Sequence, residues 1–123
     1  MTNEKDSEFE ELKLRLRQFA KDRDWEKFHN PKNLILALTG EVGELSEIFQ
    51  WLSEEQAKNL NEAAIQDASN ELADIMIYLF RLFDVLSIDP IEAINKKISI
   101  NEAKYPIELS KGSAVKYNKR EGA

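Results

Sequence analysis

Three prolines (31, 90 and 106) and four glycines (40, 43, 112 and 122) are all the strong breakers in this 123-residue chain. Such sparse punctuation leaves long stretches with nothing to interrupt a helix. Apolar residues recur within them at three- and four-residue spacing. Phe9, Leu12, Leu16 and Phe19 mark a first helix from about Ser7 to Asp22. Asn30 and Pro31 supply an N-cap and a first-turn proline for a second, with Leu34, Ile35, Leu38, Val42, Leu45, Phe49 and Leu52 along one side. Ser53-Glu54-Glu55-Gln56 matches a capping box and predicts a short further turn. A third long helix is expected from about Asn61 to Leu86, and Asp89-Pro90 opens a fourth that ends near Tyr105-Pro106. No strand pattern or internal repeat interrupts the series. The expectation is an all-α fold, a four-helix-bundle-like subunit. It forms one domain over residues 1–123, with a core of about 7–105 and a polar tail from 106 to 123.

The third helix carries more apolar surface than one bundle can cover. Ala68, Leu72, Ile75, Leu79, Leu82 and Leu86 form one stripe, and Ala73, Ile77 and Phe80 lie on another side. A helix apolar on two faces is buried on two faces, so part of this surface is expected to meet another subunit.

Composition narrows the function classes. With 42% apolar and 33% charged residues, the chain has the makings of a core and is unlike a disordered polymer. The absence of cysteine excludes disulfides, thiolate metal sites and a Cys nucleophile, and fits a reducing, cytoplasmic setting. The longest apolar run, 75–80, is too short for a bilayer, and the acidic start does not read as a secretory signal. A formal charge of −6 argues against binding a nucleic-acid polymer, whose phosphates call for a basic surface.

Some carboxylates sit where a solvated face should not be. On a wheel of about 100° per residue, Glu41 lies roughly 50° from the centre of the second helix's apolar stripe, and Glu44 lies at its edge. On the third helix Glu71, Asp74 and Tyr78 fall within an arc of about 60° beside the stripe. If the two helices form an antiparallel hairpin around residues 53–60, the two acidic pairs lie within about 3 Å of the same height. Four carboxylates at one level repel and raise one another's pKa. Leaving them unpaired would consume much of a domain's stability margin.

Two arrangements remove that penalty. One is a hard divalent cation, Mg²⁺ or Mn²⁺, which suits oxygen-only ligands. The other is a basic partner, with Arg81 or Lys97 as candidates. A di-iron bundle fits poorly, because it needs a Glu-x-x-His pair from each of two helices. The single histidine, His29, stands just before the Asn30-Pro31 cap, in a loop.

The residues form an ordered series. Gly40-Glu41-Val42-Gly43-Glu44-Leu45 followed by Glu71-Leu72-Ala73-Asp74 resembles the E-x-x-E … E-x-x-D arrangement of the MazG-like, all-α nucleoside triphosphate pyrophosphohydrolases. Arg23-Asp24-Trp25, Phe28-His29, Pro31-Lys32-Asn33-Leu34, Phe49-Gln50-Trp51, Asn101, Lys104-Tyr105-Pro106 and Lys116-Tyr117 are similar to its dCTP pyrophosphatase branch. The likeness runs from about residue 9 to 118.

The resemblance implies Mg²⁺-dependent hydrolysis of a nucleoside triphosphate between its α- and β-phosphates, by a homotetramer built from dimers. It places Glu41, Glu44, Glu71 and Asp74 at the metal-ligand and catalytic positions. Trp25, Trp51 and Tyr78 take nucleoside-pocket positions, where a flat base needs a flat partner. His29 either orders its loop or contacts substrate. Asn101 offers both donor and acceptor to a base edge or sugar, and Lys97, Lys104 and Lys116 are placed to neutralise phosphate. Ser99 departs from the acidic residue frequent in this branch, which bears on fine selection of base or sugar. The expected activity is house-cleaning hydrolysis of dCTP or a modified pyrimidine deoxynucleotide. The alternatives are a dUTP or broader dNTP specificity, or a non-catalytic helical module that binds nucleotides or a partner.

Overall fold

The computed structural model describes residues 4–120, all of whose regular elements are helical. Six α-helices follow one another: α1 (Glu4–Asp22), α2 (Pro31–Phe49), α3 (Glu54–Lys58), α4 (Glu62–Val85), α5 (Pro90–Lys104) and α6 (Ile107–Ser110). Two 3-10 turns, Glu26–Phe28 and Tyr117–Lys119, complete the set. The chain divides into two compact units, Met1–Ile88 and Asp89–Ala123.

The helix starts are written in side chains. Asn30 accepts from the Asn33 N–H at 2.9 Å and Asn61 from the Ala64 N–H at 2.8 Å, each satisfying an amide that the first turn leaves orphaned. Ser53 and Gln56 close a full capping box around α3. In the second unit, Asp89 accepts from the amides of Ile91 and Glu92 ahead of Pro90. These are the positions that the sequence marks.

Two helix ends use a device that the sequence does not advertise. After α1, Asp24 takes φ 55°, its N–H bonds to the Lys21 carbonyl, and the Trp25 N–H reaches back to Ala20. After α4, Ser87 takes φ 57°, with Ser87 N–H to Asp84 and Ile88 N–H to Phe83. Both are Schellman closures in which a non-glycine residue occupies the left-handed position. The first also aims Trp25 at Phe19, edge to face at 5.7 Å between ring centroids.

In the first unit α2 packs along α4, joined through the short α3, and α1 lies against α4. Phe9 stacks on Phe80 at 5.4 Å, and Arg17 forks onto Asp84 at 2.7 and 3.1 Å. Among the described residues Ala20, Leu34 and Ala68 are the buried apolar ones, while Leu72, Met76 and Ile77 of α4 stay exposed within this one chain. In the second unit, the segment after Pro106 is held by aromatic and cationic groups. Tyr105 and Tyr117 meet edge to face, Lys104 lies over Tyr117 at 4.9 Å, and Arg120 lies over Tyr105 at 5.9 Å.

The Ser87 conformation yields a stability test. A left-handed residue with a Cβ is strained, so Ser87→Gly should raise stability by about 0.5–1 kcal/mol, the strain relieved less the extra freedom of glycine when unfolded. Thermal or urea unfolding of the variant measures it; a fall in stability would show that the Ser87 side chain matters in its own right.

Candidate metal centre

Glu41 and Glu44 stand one turn apart in the middle of α2, and Glu71 stands in α4. Glu41 and Glu71 each lie fifteen residues from Gln56, the register of a hairpin folded about α3. One carboxylate oxygen from each of Glu41, Glu44 and Glu71 comes within 4.8 Å of the others. Glu41 and Glu71 are half-buried, and Glu44 faces solvent.

The electrostatics of this cluster are unfavourable as they stand. Oε2 of Glu41 and Oε2 of Glu71 are buried and receive no hydrogen bond. An ionised carboxylate only accepts, so the pair can gain a donor internally only by keeping a proton of its own. Glu71 is accordingly pushed up from 4.5 to about 7, first by the shared hydrogen bond with Glu41, then by burial and by Glu44. For Glu41 the bond to Glu71 pulls downward, but burial and the neighbouring Glu44 and Asp74 outweigh it, and its pKa also rises.

Buried oxygens without donors, all from carboxylates on rigid helices, suit a hard divalent cation. The donor set therefore fits the magnesium or manganese that the sequence suggests. Of the two basic candidates offered as substitutes, Arg81 is committed elsewhere: its guanidinium donates to Asp84 at 3.1 Å and to Nδ1 of His29 at 3.2 Å.

The remaining sequence candidates fall as follows. Asp74 lies one turn beyond Glu71 on α4, outside the tight trio, though its charge acts on Glu41. Tyr78, a further turn along, is half-buried. Trp25 is 44% exposed, and its ring meets that of His29 at 6.5 Å between centroids. His29 is held below its ordinary 6.5 by burial first and by the charge of Arg81 second, so it is neutral near pH 7. Trp51 follows α2 and is 86% exposed, a side chain with almost no cover in its own chain. In the second unit Lys97, Asn101 and Lys104 lie on α5, and Lys116 precedes the Tyr117–Lys119 turn. Ser99, the departure from the branch's pattern, turns its hydroxyl back to the Asn95 carbonyl at 3.3 Å. What the sequence reading missed is the ionic chain Arg17–Asp84–Arg81–His29, whose ends lie on separate helices or loops.

Comparison with known proteins gives the chain a family. The MazG-like family matches residues 37–119, which include the acidic trio and Asp74. A dCTP pyrophosphatase 1 from Bos taurus is 50% identical over 105 residues, covering 81% of this chain and 60% of that protein. The Homo sapiens protein of that name is 43% identical over the same coverage. The chain thus spans about 60% of the length of the curated relatives it matches. The crystal structure of a pyrophosphatase from Archaeoglobus fulgidus superposes with a TM-score of 0.75 at 46% identity, covering 79% of this chain and 91% of that one. These findings bear out the likeness to the dCTP pyrophosphatase branch, and the chain belongs to the MazG-like family.

Proposed function

We propose that this chain is a Mg²⁺-dependent nucleoside triphosphate pyrophosphohydrolase that cleaves dCTP, or a related modified pyrimidine deoxynucleotide, to the monophosphate and pyrophosphate. The observation that carries this reading is the carboxylate trio Glu41, Glu44 and Glu71 on facing helices, with one buried oxygen of Glu41 and one of Glu71 lacking any donor. The relatives and the structural neighbour, pyrophosphatases by name, support the reaction class. In this reading residues 1–123 are one domain, a four-helix-bundle-like subunit of a cytoplasmic homotetramer built from dimers. The exposed apolar side chains of α4 support such an assembly. No helix among the described residues is long and apolar enough to cross a membrane.

Glu41, Glu44 and Glu71 would hold the cation, with Asp74 completing the set. A bound magnesium ion would offset the phosphate charge against this acidic surface, polarise the reacting phosphorus and acidify the attacking water. The protein's part is to bind and orient. Trp25, Trp51 and Tyr78 would stack and enclose the base, His29 and Asn101 would read polar edges, and Lys97, Lys104 and Lys116 would neutralise the triphosphate. In the absence of metal, the Glu71 carboxyl holds a proton below about pH 7, which limits the repulsion within the trio there.

Pyrophosphate release from a panel of deoxynucleoside triphosphates in magnesium tests the proposal directly. The expected result is preferential use of dCTP, with Glu71→Gln slower by about 100-fold or more at unchanged helical content. Release from dUTP or all dNTPs alike would shift the specificity, and no release from any would remove the enzyme reading. Trp51→Ala should raise KM about tenfold and leave metal binding intact; loss of assembly instead would give Trp51 an interface role.

Protons and metal compete for the same oxygens. Because the folded-state value of Glu71 is about 7 and the ordinary value 4.5, the folded state binds more protons in between. This contribution to stability is complete below about 4.5 and is lost as pH rises through about 7. Metal-free wild type should therefore lose more thermal stability than Glu71→Gln between about pH 6 and pH 8. Adding Mg²⁺ should raise the wild-type melting temperature and release protons, read by calorimetry in buffers of different ionisation enthalpy. An unchanged melt at saturating magnesium would count against a preformed site.

A further inference from the structure

Arg81 is the one charged residue that is buried among those described, only 5% exposed. Its side chain is fixed at two points: Nη1 donates to Asp84 Oδ2 at 3.1 Å, and Nε donates to His29 Nδ1 at 3.2 Å. Asp84 is itself gripped from the other side by Arg17, whose Nε and Nη2 donate to its two oxygens at 3.1 and 2.7 Å. The position of the guanidinium is thus set before the histidine is considered.

A guanidinium has donors only and stays charged at any physiological pH. The Nδ1 it faces must therefore be the unprotonated nitrogen, because the opposite tautomer would set two N–H groups against each other. In the neutral ring the proton then belongs on Nε2. That nitrogen makes no hydrogen bond to any described residue, and it is absent from the buried atoms that lack partners, so it is open to solvent or ligand. The ring also stands edge-on to Trp25, whose place is fixed by the Schellman closure of α1 and by Phe19.

We infer that Arg81 is a positioning residue that locks His29 as the Nε2–H tautomer, so that the ring presents one fixed neutral donor beside Trp25 to N3 of a cytosine. The nucleobase half of this inference rests on the proposed function; the tautomer half does not. Both bases carry an acceptor at O2, but N3 is an acceptor in cytosine and a donor in uracil, so it is at N3 that a fixed donor tells them apart. A histidine free to exchange tautomers could serve either base by switching its proton. Locked by Arg81, it meets the N3–H of uracil donor against donor, a mismatch that rejects the wrong base more effectively than a lost contact does.

His29 is the only histidine in the chain, so its ring nitrogens can be assigned in a ¹⁵N-labelled sample without ambiguity. Long-range ¹H–¹⁵N correlation of the wild type near pH 7.5 should show a protonated Nε2 and a bare Nδ1; a protonated Nδ1, or an averaged pair, overturns the inference. Arg81→Met should give the averaged pair and lower the dCTP-to-dUTP ratio of kcat/KM about tenfold, chiefly through KM. Arg81→Lys, which keeps a cationic donor, should retain the wild-type tautomer and most of the discrimination. Arg81→Met with the tautomer unchanged, or with the tautomer lost and the ratio intact, overturns it equally. If Arg81→Met does not fold, the wild-type spectrum together with that of Arg81→Lys decides the tautomer half. A wild type that turns over no nucleotide removes the nucleobase half along with the proposed function, and the spectrum alone then decides the rest.

Discussion

Like charges forced together by rigid helices organise the first unit. Half-buried Glu41 and Glu71 are brought together by the packing of α2 on α4, and the packing of those two helices is what holds the unit together. Repulsion in a desolvated place has few remedies: a proton, a basic group or a cation. The proton is the remedy available to the metal-free chain, and it sits on Glu71. The candidate basic group on α4, Arg81, is occupied elsewhere, and a cation is the arrangement that an oxygen-only donor set suits.

The two charged clusters of this unit obey opposite rules. At Asp84 two arginines converge on one carboxylate, and its pKa falls, mainly through the hydrogen bond from Arg17 and despite burial. Both oxygens of Asp84 receive donors there, and the result is a fixed framework. At Glu41 and Glu71 one buried oxygen of each carboxylate lacks a complement, which is the feature the proposed metal site rests on.

Much of this was legible in the linear order of residues. Asn30-Pro31, Ser53 to Gln56, Asn61 and Asp89-Pro90 announce helix starts because capping is a local interaction. Glu41, Glu44 and Glu71 were legible because helical periodicity and hairpin register together fix both angle and height. Asp74 shares their arc on the wheel yet stands outside the trio, since one further turn moves the Cα along the axis and rotamers decide the remainder. The role of Arg81 was not legible. It could be nominated as a counter-ion for the trio, but choosing between that and Asp84 requires knowing where Arg17 lies, 67 residues from Asp84. The ends of α1 and α4 were equally silent, because Asp24 and Ser87 occupy positions that glycine normally signals.

The span between Glu41 and Glu71 also bears on how the chain acquires its shape. They lie thirty positions apart in sequence, on the two arms of one helical hairpin. Closing that hairpin means driving two acids together before any stabilising ion need be present. A carboxyl whose value rises from 4.5 to about 7 as the arms close takes up a proton below neutrality and so limits that repulsion. In the proposed metal-bound state, that proton would be the one displaced.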